Sequence, residues 1–402
     1  MESNENFAPK DWFNSVFGFK ETVESVIKNF EVSERKDYVE LTSKVNQRKF
    51  NAGNFQIKSS DRSSYQLSES PGGGKLHIIH GYGKESKHYQ LVDVLSMQSI
   101  SKWDGATYLA ASNFNCLEFV SSLQDARSGV TNYYADSTQG PYAALACCSA
   151  AVYRNYFVQH NGLTGQISSE INLLDRTPIE VVHGYAKISD KGKSDDSKSK
   201  SFFEKTKDFF GFKSKKEEKE DDDDEMKKVN WGDPNIWQVG IHKNCEVTLT
   251  RGPNNTFRFA PKNRISHHVY AAAFNFKIDV VMNKSTLEIA KELLKAEYRA
   301  TIFSAWENSI QFKERNGSKK LSLTLLGGGV FRNPLDLICN AILENLDLII
   351  ESGLEVYVTC FDDKTFKSIE GLVRPAVERT NGKIYDTNDD ESCKELLDDD
   401  EK

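Results

Sequence analysis

Three consecutive glycines, Gly327, Gly328 and Gly329, follow an apolar run that is typical of a buried strand, in the segment LSLTLLGGGVFRNP. Glycine tolerates positive φ angles, so such a loop can turn several backbone N–H groups to the same side. Asn333 and Pro334 then have the pattern of a helix N-cap followed by proline at the first helical position. A concave set of N–H groups beside a helix N-terminus suits a phosphate or pyrophosphate. The alternative interpretation is a tight strand-to-helix turn that binds nothing.

Two familiar phosphate-binding motifs are absent from the sequence. No Gly-Lys-Ser/Thr follows the glycines, although a P-loop needs the lysine for its phosphates and the hydroxyl for Mg²⁺. No G-x-G-x-x-G opens a helix either, so the Rossmann fingerprint is missing. The glycine segment therefore predicts a phosphate loop of a different kind, or a plain turn.

A second group of polar residues lies upstream, in ASNFNCLEF and STQGPYAALACC. Asn113 and Asn115 follow a predicted buried strand, where a carboxamide can contact a base edge or a ribose hydroxyl. The alternative of equal weight is local capping of an Asx turn. A helix is predicted to begin nearby with proline at its first position, so two helix N-termini would face one cleft. The residues that open this helix are Thr138, Gln139, Gly140 and Pro141.

Candidates for catalysis are few. Glu118 is the carboxylate closest to the two asparagines, and it could act as an acid or orient a water molecule. A solvated loop glutamate is the favoured alternative. His267 and His268 begin an apolar strand and must point in opposite directions, so we expect structural histidines and no shared metal. Because H-x-x-x-H, C-x-x-C, H-E-x-x-H and G-x-S-x-G are all absent from the sequence, we expect no metal, no resident cofactor and no serine nucleophile.

The rest of the sequence alternates apolar runs of strand length with longer amphipathic segments. Strands are predicted at 76–82, 179–187, 267–278 and 354–362. Two further segments begin as buried strands: 106–114 runs into a polar loop, and 321–331 runs into the three glycines. Helices are predicted at 141–157, 286–310 and 334–353, the last with proline at its start and glycine at its end. The β-α-β-α-β order after residue 267 is typical of a mostly parallel sheet covered by helices. In such a sheet, ligands bind outside the carboxyl ends of the strands.

Composition excludes several classes of protein. The chain has 402 residues, of which 38% are apolar, and a formal charge of −7. No window approaches the roughly 20 apolar residues of a membrane span, and the first residues lack the pattern of a secretory signal. Seven cysteines without paired spacing indicate reduced thiols. We expect a cytoplasmic protein, with the nucleus as the alternative, and its acidity argues against a dedicated nucleic-acid binder.

One segment differs from the rest in composition. Residues 188–230 are mostly Lys, Asp, Glu and Ser, and such a segment buries too little apolar area to offset the entropy cost of ordering. We therefore predict a disordered charged insertion. Within it, SFFEKTKDFFGF has phenylalanines at helical spacing, which favours a transient helix. The alternative is a helix in 188–228 that docks on a membrane surface or a protein partner. The acidic end CKELLDDDEK is predicted to be solvated.

Over 265–370 these features together resemble the macrodomain-like fold that binds ADP-ribose. A strand like HHVYAAAF leads to a helix containing AEYRATIFSAWENS, then to LSLTLLGGGVF and another helix, and LEVYVTCFD with DKTFKSI completes the order. The ASNFN segment is similar in position to the Asn-rich loop of that family's first half. The whole chain also resembles a divergent subgroup that carries FGFKE, SNFNCLEF, TQGP, YRNYF and LGGGVF. The resemblance implies a three-layer α/β domain with a mixed sheet and helices on both faces.

This resemblance divides the chain into five parts. The first is an N-terminal extension that packs on the core at 1–69. The two halves of the macrodomain-like domain are placed at 70–187 and 231–385, with the charged insertion at 188–230 between them. An acidic tail occupies 386–402.

The resemblance also implies roles for particular residues. The glycine-rich loop would line the diphosphate and the distal ribose, through Gly327, Gly328, Gly329, Val330 and Phe331. Asn113 and Asn115 would lie near the distal ribose, and Phe361 or Asp362 would border the adenine. Two departures concern catalysis: a long stretch, 116–137, separates SNFN from TQGP, and no adjacent Glu-Glu pair accompanies a glycine-rich loop.

The function expected from these features is binding of ADP-ribose or of an ADP-ribosylated macromolecule. Hydrolysis of the ADP-ribosyl bond, with Glu118 as the catalytic candidate, is the expected extension. The alternative from a different class is a non-catalytic scaffold, in which the glycine turn is structural and the charged insertion recruits protein partners.

Overall fold

The computed structural model describes residues 6–67, 70–188 and 226–398. Its centre is an eight-stranded sheet with helices on both faces, which confirms the predicted three-layer α/β arrangement. The strands of the chain are β1 (Phe30–Glu34), β2 (Val39–Ser43), β3 (Lys49–Asn51), β4 (Asn54–Ser59), β5 (Lys75–His80), β6 (Thr107–Ala111), β7 (Gln159–His160), β8 (Leu163–Thr164), β9 (Glu180–Val182), β10 (Tyr185–Lys187), β11 (Gln238–Glu246), β12 (Leu249–Arg251), β13 (Phe257–Phe259), β14 (Ile265–Ala271), β15 (Lys320–Leu323), β16 (Glu355–Cys360) and β17 (Ile384–Asp386).

The central sheet is mixed. Its strand order is β17-β5-β16-β15-β6-β14-β11-β4. The six strands from β17 to β14 are parallel, whereas β11 and β4 are antiparallel to their neighbours. The parallel strands therefore place their carboxyl ends at one edge, and the pair Ala111 and Ala271 lies in register there. This is the edge at which the sequence predicts a ligand site.

Helices cover the two faces of the sheet. Their bounds are α1 (Trp12–Phe17), α2 (Val23–Asn29), α3 (Val94–Met97), α4 (Gln139–Ala146), α5 (Cys148–Tyr156), α6 (Lys284–Gln311), α7 (Leu335–Leu343), α8 (Leu346–Ser352), α9 (Asp363–Arg379) and α10 (Asp390–Cys393). Alternation along the strands separates two apolar layers: Tyr108 and Ala110 face the layer with α4 and α5, whereas Leu109 faces the layer with α6 and α7. No helix within the described ranges is long and apolar enough to cross a membrane.

Three predicted elements are divided in the structure. The predicted strand at 179–187 is a hairpin of β9 and β10, because His183 and Gly184 turn the chain with positive φ. The predicted helix at 141–157 breaks at Cys147, whose ψ of 57° is not helical. The predicted helix at 334–353 is α7 followed by α8, and Gly353 ends it with a left-handed φ of 67° as expected.

The acidic C-terminal segment is more ordered than its composition suggests. The prediction of a solvated end at 393–402 is wrong for 393–398, because Cys393, Leu396 and Leu397 are buried in the apolar layer. Trp103 donates a hydrogen bond from its indole to the carbonyl of Leu396, and Asp398 accepts one from the backbone of Ser101. Burial of these three apolar side chains thus stabilises an ordered segment despite the neighbouring carboxylates. Within the charged insertion, residues 189–225, including SFFEKTKDFFGF, lie outside the described residues.

The N-terminal residues contribute to the same core. Trp12, Phe13 and Phe17 of α1 are buried, and Phe17 makes an edge-on contact with Phe50 of β3 at 5.0 Å between ring centroids. The indole of Trp12 donates to the carbonyl of Thr131. The boundaries of the five predicted parts stay a prediction.

Candidate functional site

A cavity of about 540 Å³ opens at the carboxyl ends of β6, β14 and β15. That volume is in the range of small-molecule and cofactor sites. Its walls come from the loop after β6, the start of α4, the end of β14 and the glycine loop after β15. The lining residues are Ala111, Ser112, Asn113, Glu118, Phe119, Val120, Ala135, Asp136, Thr138, Gln139, Gly140, Pro141, Tyr185, Ala273, Thr324, Leu325, Leu326, Gly327, Gly329, Val330 and Phe331.

The glycine loop is held in shape by Asn333. The side-chain amide of Asn333 donates to the carbonyl of Phe274 at 2.8 Å and to that of Gly327 at 3.3 Å, and its backbone N–H donates to Gly327 at 3.0 Å. The prediction that Asn333 caps the following helix is wrong: Pro334 occupies the N-cap position, and α7 begins at Leu335. Asn333 instead closes the loop on itself, and it does not line the cavity.

The three glycines have different roles. Gly327 has a φ of +75°, and a Cβ there would lie 2.5 Å from the Asn333 amide and 2.6 Å from Ala273, so both conformation and space require glycine. Gly328 lacks a positive φ, and its Cβ would contact Leu335 and Ile338 of α7 at 3.1 Å. It faces this helix and does not line the cavity, contrary to expectation. Gly329 lines the cavity, and a Cβ would meet nothing within 4 Å.

The backbone amides of this loop divide into bonded and free groups. The N–H of Leu326 donates to the Tyr298 hydroxyl. Carbonyls of the loop itself accept from the N–H groups of Gly328, Arg332 and Asn333. Within the described residues, those of Gly327, Gly329, Val330 and Phe331 have no acceptor. Gly329, Val330 and Phe331 all line the cavity, so three consecutive backbone donors there are available to an anion. Val330 is 57% exposed at the rim.

The side-chain amides in the loop after β6 donate hydrogen bonds within the protein. Asn113 donates from its amide to the carbonyl of Phe119 at 2.8 Å, and Asn115 donates to Glu170 at 3.1 Å while accepting from the N–H of Leu117. Both side chains are buried. Asn113 lines the cavity and Asn115 does not. Asn115 therefore has the local capping role of an Asx turn, whereas Asn113 makes no such turn, and ligand contact by Asn113 stays a prediction.

The start of α4 packs against β6 without space between them. The Gln139 side chain accepts from the N–H of Ala111 at 2.8 Å and donates to the carbonyl of Leu109 at 2.7 Å, so it extends the sheet by one pair of bonds. A Cβ at Gly140 would lie 1.6 Å from the Ala111 carbonyl oxygen. Thr138 is the N-cap but makes no side-chain capping bond, and Pro141 is the third helical residue, not the first as predicted. The four residues from 138 to 141 all line the cavity.

Glu118 is buried in the cavity wall and not solvated. Its carboxylate accepts hydrogen bonds from one terminal nitrogen of Arg154 at 3.0 and 3.2 Å and from the Ser112 hydroxyl at 3.2 Å. Both members of the ion pair have fully buried side chains. Burial raises the pKa of Glu118 above its ordinary value, and the Arg154 charge opposes that rise. The alternative of a solvated loop glutamate is therefore wrong.

Some lining residues were not foreseen from the sequence. Tyr185 on β10 lies beside Phe331, with ring centroids 5.9 Å apart, and donates to the carbonyl of Phe119. Asp136 accepts from the N–H of Thr138 at 3.0 Å. Tyr185 belongs to the HGYAK segment, which the sequence analysis assigns to a strand, and no residue pattern there points to the cavity.

Two predicted adenine neighbours, Phe361 and Asp362, lie outside this cavity at the carboxyl end of β16. Asp362 is the N-cap of α9 and accepts from the N–H of Thr365 at 2.8 Å. Phe361 is 46% exposed, and its ring lies 3.5 Å from the position of a Cβ at Gly83.

The two neighbouring histidines of β14, His267 and His268, are structural. His267 accepts from the N–H of Asn244 at 2.9 Å, and His268 bonds to Tyr270 and to Gln98. Burial lowers the pKa of both histidines to about 3, so both are neutral at ordinary pH. Their different partners agree with the prediction that they point in opposite directions.

Several solved structures of poly(ADP-ribose) glycohydrolase are similar to this chain. The enzyme from Deinococcus radiodurans in complex with ADP-ribose is 12% identical over 79% of this chain and 95% of that chain, with a TM-score of 0.36. The enzyme from Thermomonospora curvata is 10% identical over 89% of this chain and 96% of that chain, also with a TM-score of 0.36. The match to the Deinococcus enzyme in apo form is 17% identical, covers 35% of this chain and 55% of that chain, and has a TM-score of 0.26.

No family model matches the sequence, and no curated protein matches it.

Proposed function

We propose that the cavity binds ADP-ribose or an ADP-ribosyl group, with the diphosphate on the backbone of the glycine loop. The observation that carries this proposal is the run of free N–H groups at Gly329, Val330 and Phe331, beside the further free N–H of Gly327. Backbone amides that converge on a concave surface bind phosphate oxygens without a cationic side chain. Among the lining residues, the ionisable acids are Glu118 and Asp136, and neither lysine nor arginine is present.

The remaining walls suit the other parts of such a ligand. Tyr185, Phe331 and Phe119 offer aromatic surface, and Val120 and Val330 form an apolar rim. A sugar and its diphosphate would lie between this surface and the start of α4, where the first helical N–H groups also lack intrahelical acceptors. Placement of the adenine at Phe361 or Asp362 stays a prediction, since these residues lie beyond the cavity.

Hydrolysis is proposed as the activity of the same site. Glu118 would accept a proton from water while the water oxygen forms a bond to the anomeric carbon of the ribose. The bond from that carbon to the acceptor would break, and the electron pair would leave with the acceptor. A positioned carboxylate of this kind contributes about 10²- to 10⁴-fold to a reaction rate. Glu118 supports this role because it is one of the residues that line the cavity, and its carboxylate is held in place by Arg154 and Ser112.

Calorimetry with ADP-ribose and with adenosine tests the binding proposal. ADP-ribose should bind and adenosine should bind more weakly by at least about tenfold, since adenosine offers nothing to the free N–H groups. Gly329→Val should weaken ADP-ribose by about tenfold, because its side chain would enter the cavity over these donors. Gly371→Val on α9 is the matched control, as a Cβ there also meets nothing within 4 Å. Equal binding of both compounds, or binding of neither, would instead favour the scaffold.

Release of ADP-ribose from an ADP-ribosylated protein tests the hydrolysis proposal. Glu118→Gln should reduce the rate by about 10²-fold or more while ADP-ribose still binds. Unchanged release by this variant would exclude Glu118 from the reaction and leave a binding module.

A further inference from the structure

Arg154 lies directly behind Glu118 and has no access to solvent. It is on α5, in the YRNYF segment, and its exposure is 0%. It is not among the residues that line the cavity. Its only carboxylate partner among the described residues is Glu118. Glu118 therefore belongs to the cavity wall, and the charge that balances its buried carboxylate lies one layer deeper.

The guanidinium is held from three directions. Its central carbon lies 3.7 Å from the ring centroid of Tyr270 on β14, so the plane is stacked on an aromatic face. Its Nε donates to the carbonyl of Cys116, and one terminal nitrogen donates to both carboxylate oxygens of Glu118. Within the part of the chain that the structure describes, the other terminal nitrogen has no acceptor. A lysine could not reproduce this planar arrangement.

The other titratable groups around Glu118 do not carry a balancing charge. Burial raises the pKa of Tyr133 and of Tyr270 well above the ordinary value, and it also raises that of Cys116. All three groups are neutral at ordinary pH. Tyr133 contributes its hydroxyl oxygen as acceptor for the N–H of Glu118 at 3.0 Å. Arg154 is thus the cation on which an ionised Glu118 depends.

We propose that Arg154 is a positioning residue that keeps Glu118 ionised and fixed in the cavity wall, so that Glu118 works as a base and not as a proton donor. This inference rests on the proposed function for its catalytic consequence. Without the guanidinium, a fully buried carboxylate takes up a proton, because an unpaired buried charge is too costly. A protonated Glu118 cannot accept the proton of an attacking water molecule.

The state of Glu118 can be measured without any ligand. The infrared difference spectrum of Arg154→Met minus the wild type at pH 7 should show a protonated-carboxyl C=O band. Any band of the buried Glu297, whose pKa is also raised, is common to both proteins and cancels. The band should disappear in the double variant Arg154→Met/Glu118→Gln, which assigns it to Glu118. Absence of the band from a folded Arg154→Met protein would overturn the proposal. If Arg154→Met does not fold, Arg154→Lys is examined in the same way, and its carboxyl should titrate at higher pH than in the wild type.

The pH profile of ADP-ribose release supplies a second readout. Arg154→Lys should release ADP-ribose about tenfold more slowly at pH 7, and the deficit should shrink as the pH rises and Glu118 ionises. The ADP-ribose dissociation constant should change by less than about threefold, since Arg154 does not line the cavity. A loss of equal size at every pH would contradict the proposal.

Arg251→Lys is the matched control, because Arg251 also pairs with a buried carboxylate, Asp93, and also stacks on a tyrosine, Tyr142. Release should be unaffected in this variant at all pH values. If the wild type releases no ADP-ribose, the hydrolysis proposal fails, whereas the infrared result still decides what Arg154 does to Glu118.

Discussion

The two walls of the cavity differ in which polar groups already have hydrogen-bond partners. The wall after β6 is made of side chains whose polar atoms are occupied: Asn113, Asn115 and Gln139 all bond to neighbouring backbone or side chains. The wall after β15 is made of backbone whose N–H groups are unoccupied at three consecutive positions. Polar side chains on one side thus shape the cavity, and glycine and apolar residues on the other side supply free backbone N–H donors. Residue polarity alone is therefore a poor guide to ligand contact.

Two buried carboxylates, one in the cavity wall and one outside it, are held in different ways. Glu118, after β6, is paired with Arg154 and bonded to Ser112. Glu297, on α6 beside the end of β14, is 1% exposed, and neither carboxylate oxygen finds a hydrogen-bond partner among the described residues. Burial raises the pKa of Glu297 well above its ordinary value, although the backbone at Ala272 opposes this. Both buried acids thus have a raised pKa, but Glu118 has an arginine partner that opposes the rise and Glu297 has none within the described part of the chain.

Gly140→Ala should have the largest effect and would test the shaping role of the first wall. The new methyl group would lie 1.6 Å from the carbonyl oxygen of Ala111, so α4 must move away from β6. We expect a loss of about 4 kcal/mol or more in the free energy of unfolding. Urea denaturation followed by circular dichroism measures it. Gly329→Ala is the control and should unfold like the wild type, since its methyl group meets nothing within 4 Å.

Gly327→Ala should have an intermediate effect and would test whether the second wall is preorganised. The positive φ and the close contacts with Asn333 and Ala273 should destabilise the protein by about 2 kcal/mol. ADP-ribose affinity should fall as well, because the free N–H groups lose their arrangement. Thermal unfolding with and without ADP-ribose separates the two effects. A variant with the wild-type melting temperature and the full ligand shift would show that this loop is not held by Gly327.

Glu297→Gln should have the smallest effect and would sharpen the contrast between the two acids. The raised pKa of Glu297 means that the folded protein holds its proton more tightly than the unfolded chain does. Its stabilising contribution is fully present below the unfolded pKa and is lost as the pH rises through the folded pKa. Glutamine has no such loss, so the variant should gain about 1 kcal/mol over the wild type at pH 8 and less at pH 5. Urea denaturation of both proteins at pH 5 and pH 8 measures the free energy of unfolding. An equal difference between variant and wild type at the two pH values would contradict this prediction.

The sequence by itself determined the class of fold and the edge of the sheet that carries the cavity. Hydrophobic runs predicted β5, α6 and β16 closely, because these signals are local. The glycines after β15 and the residues Asn113, Glu118 and Gln139 were expected near one another, and the structure brings them to one cavity. Parallel strand order explains this, since it places the ends of distant segments side by side.

Only the tertiary structure decided what each of these residues does. Whether Asn333 caps a helix or closes a loop depends on the carbonyls of Phe274 and Gly327, and these are positioned by packing. The sequence could not show that Arg154 lies behind Glu118, because 36 residues separate them along the chain. A charge and its partner are recognised by distance in space, and spacing along the chain carries that information only within a helix or strand.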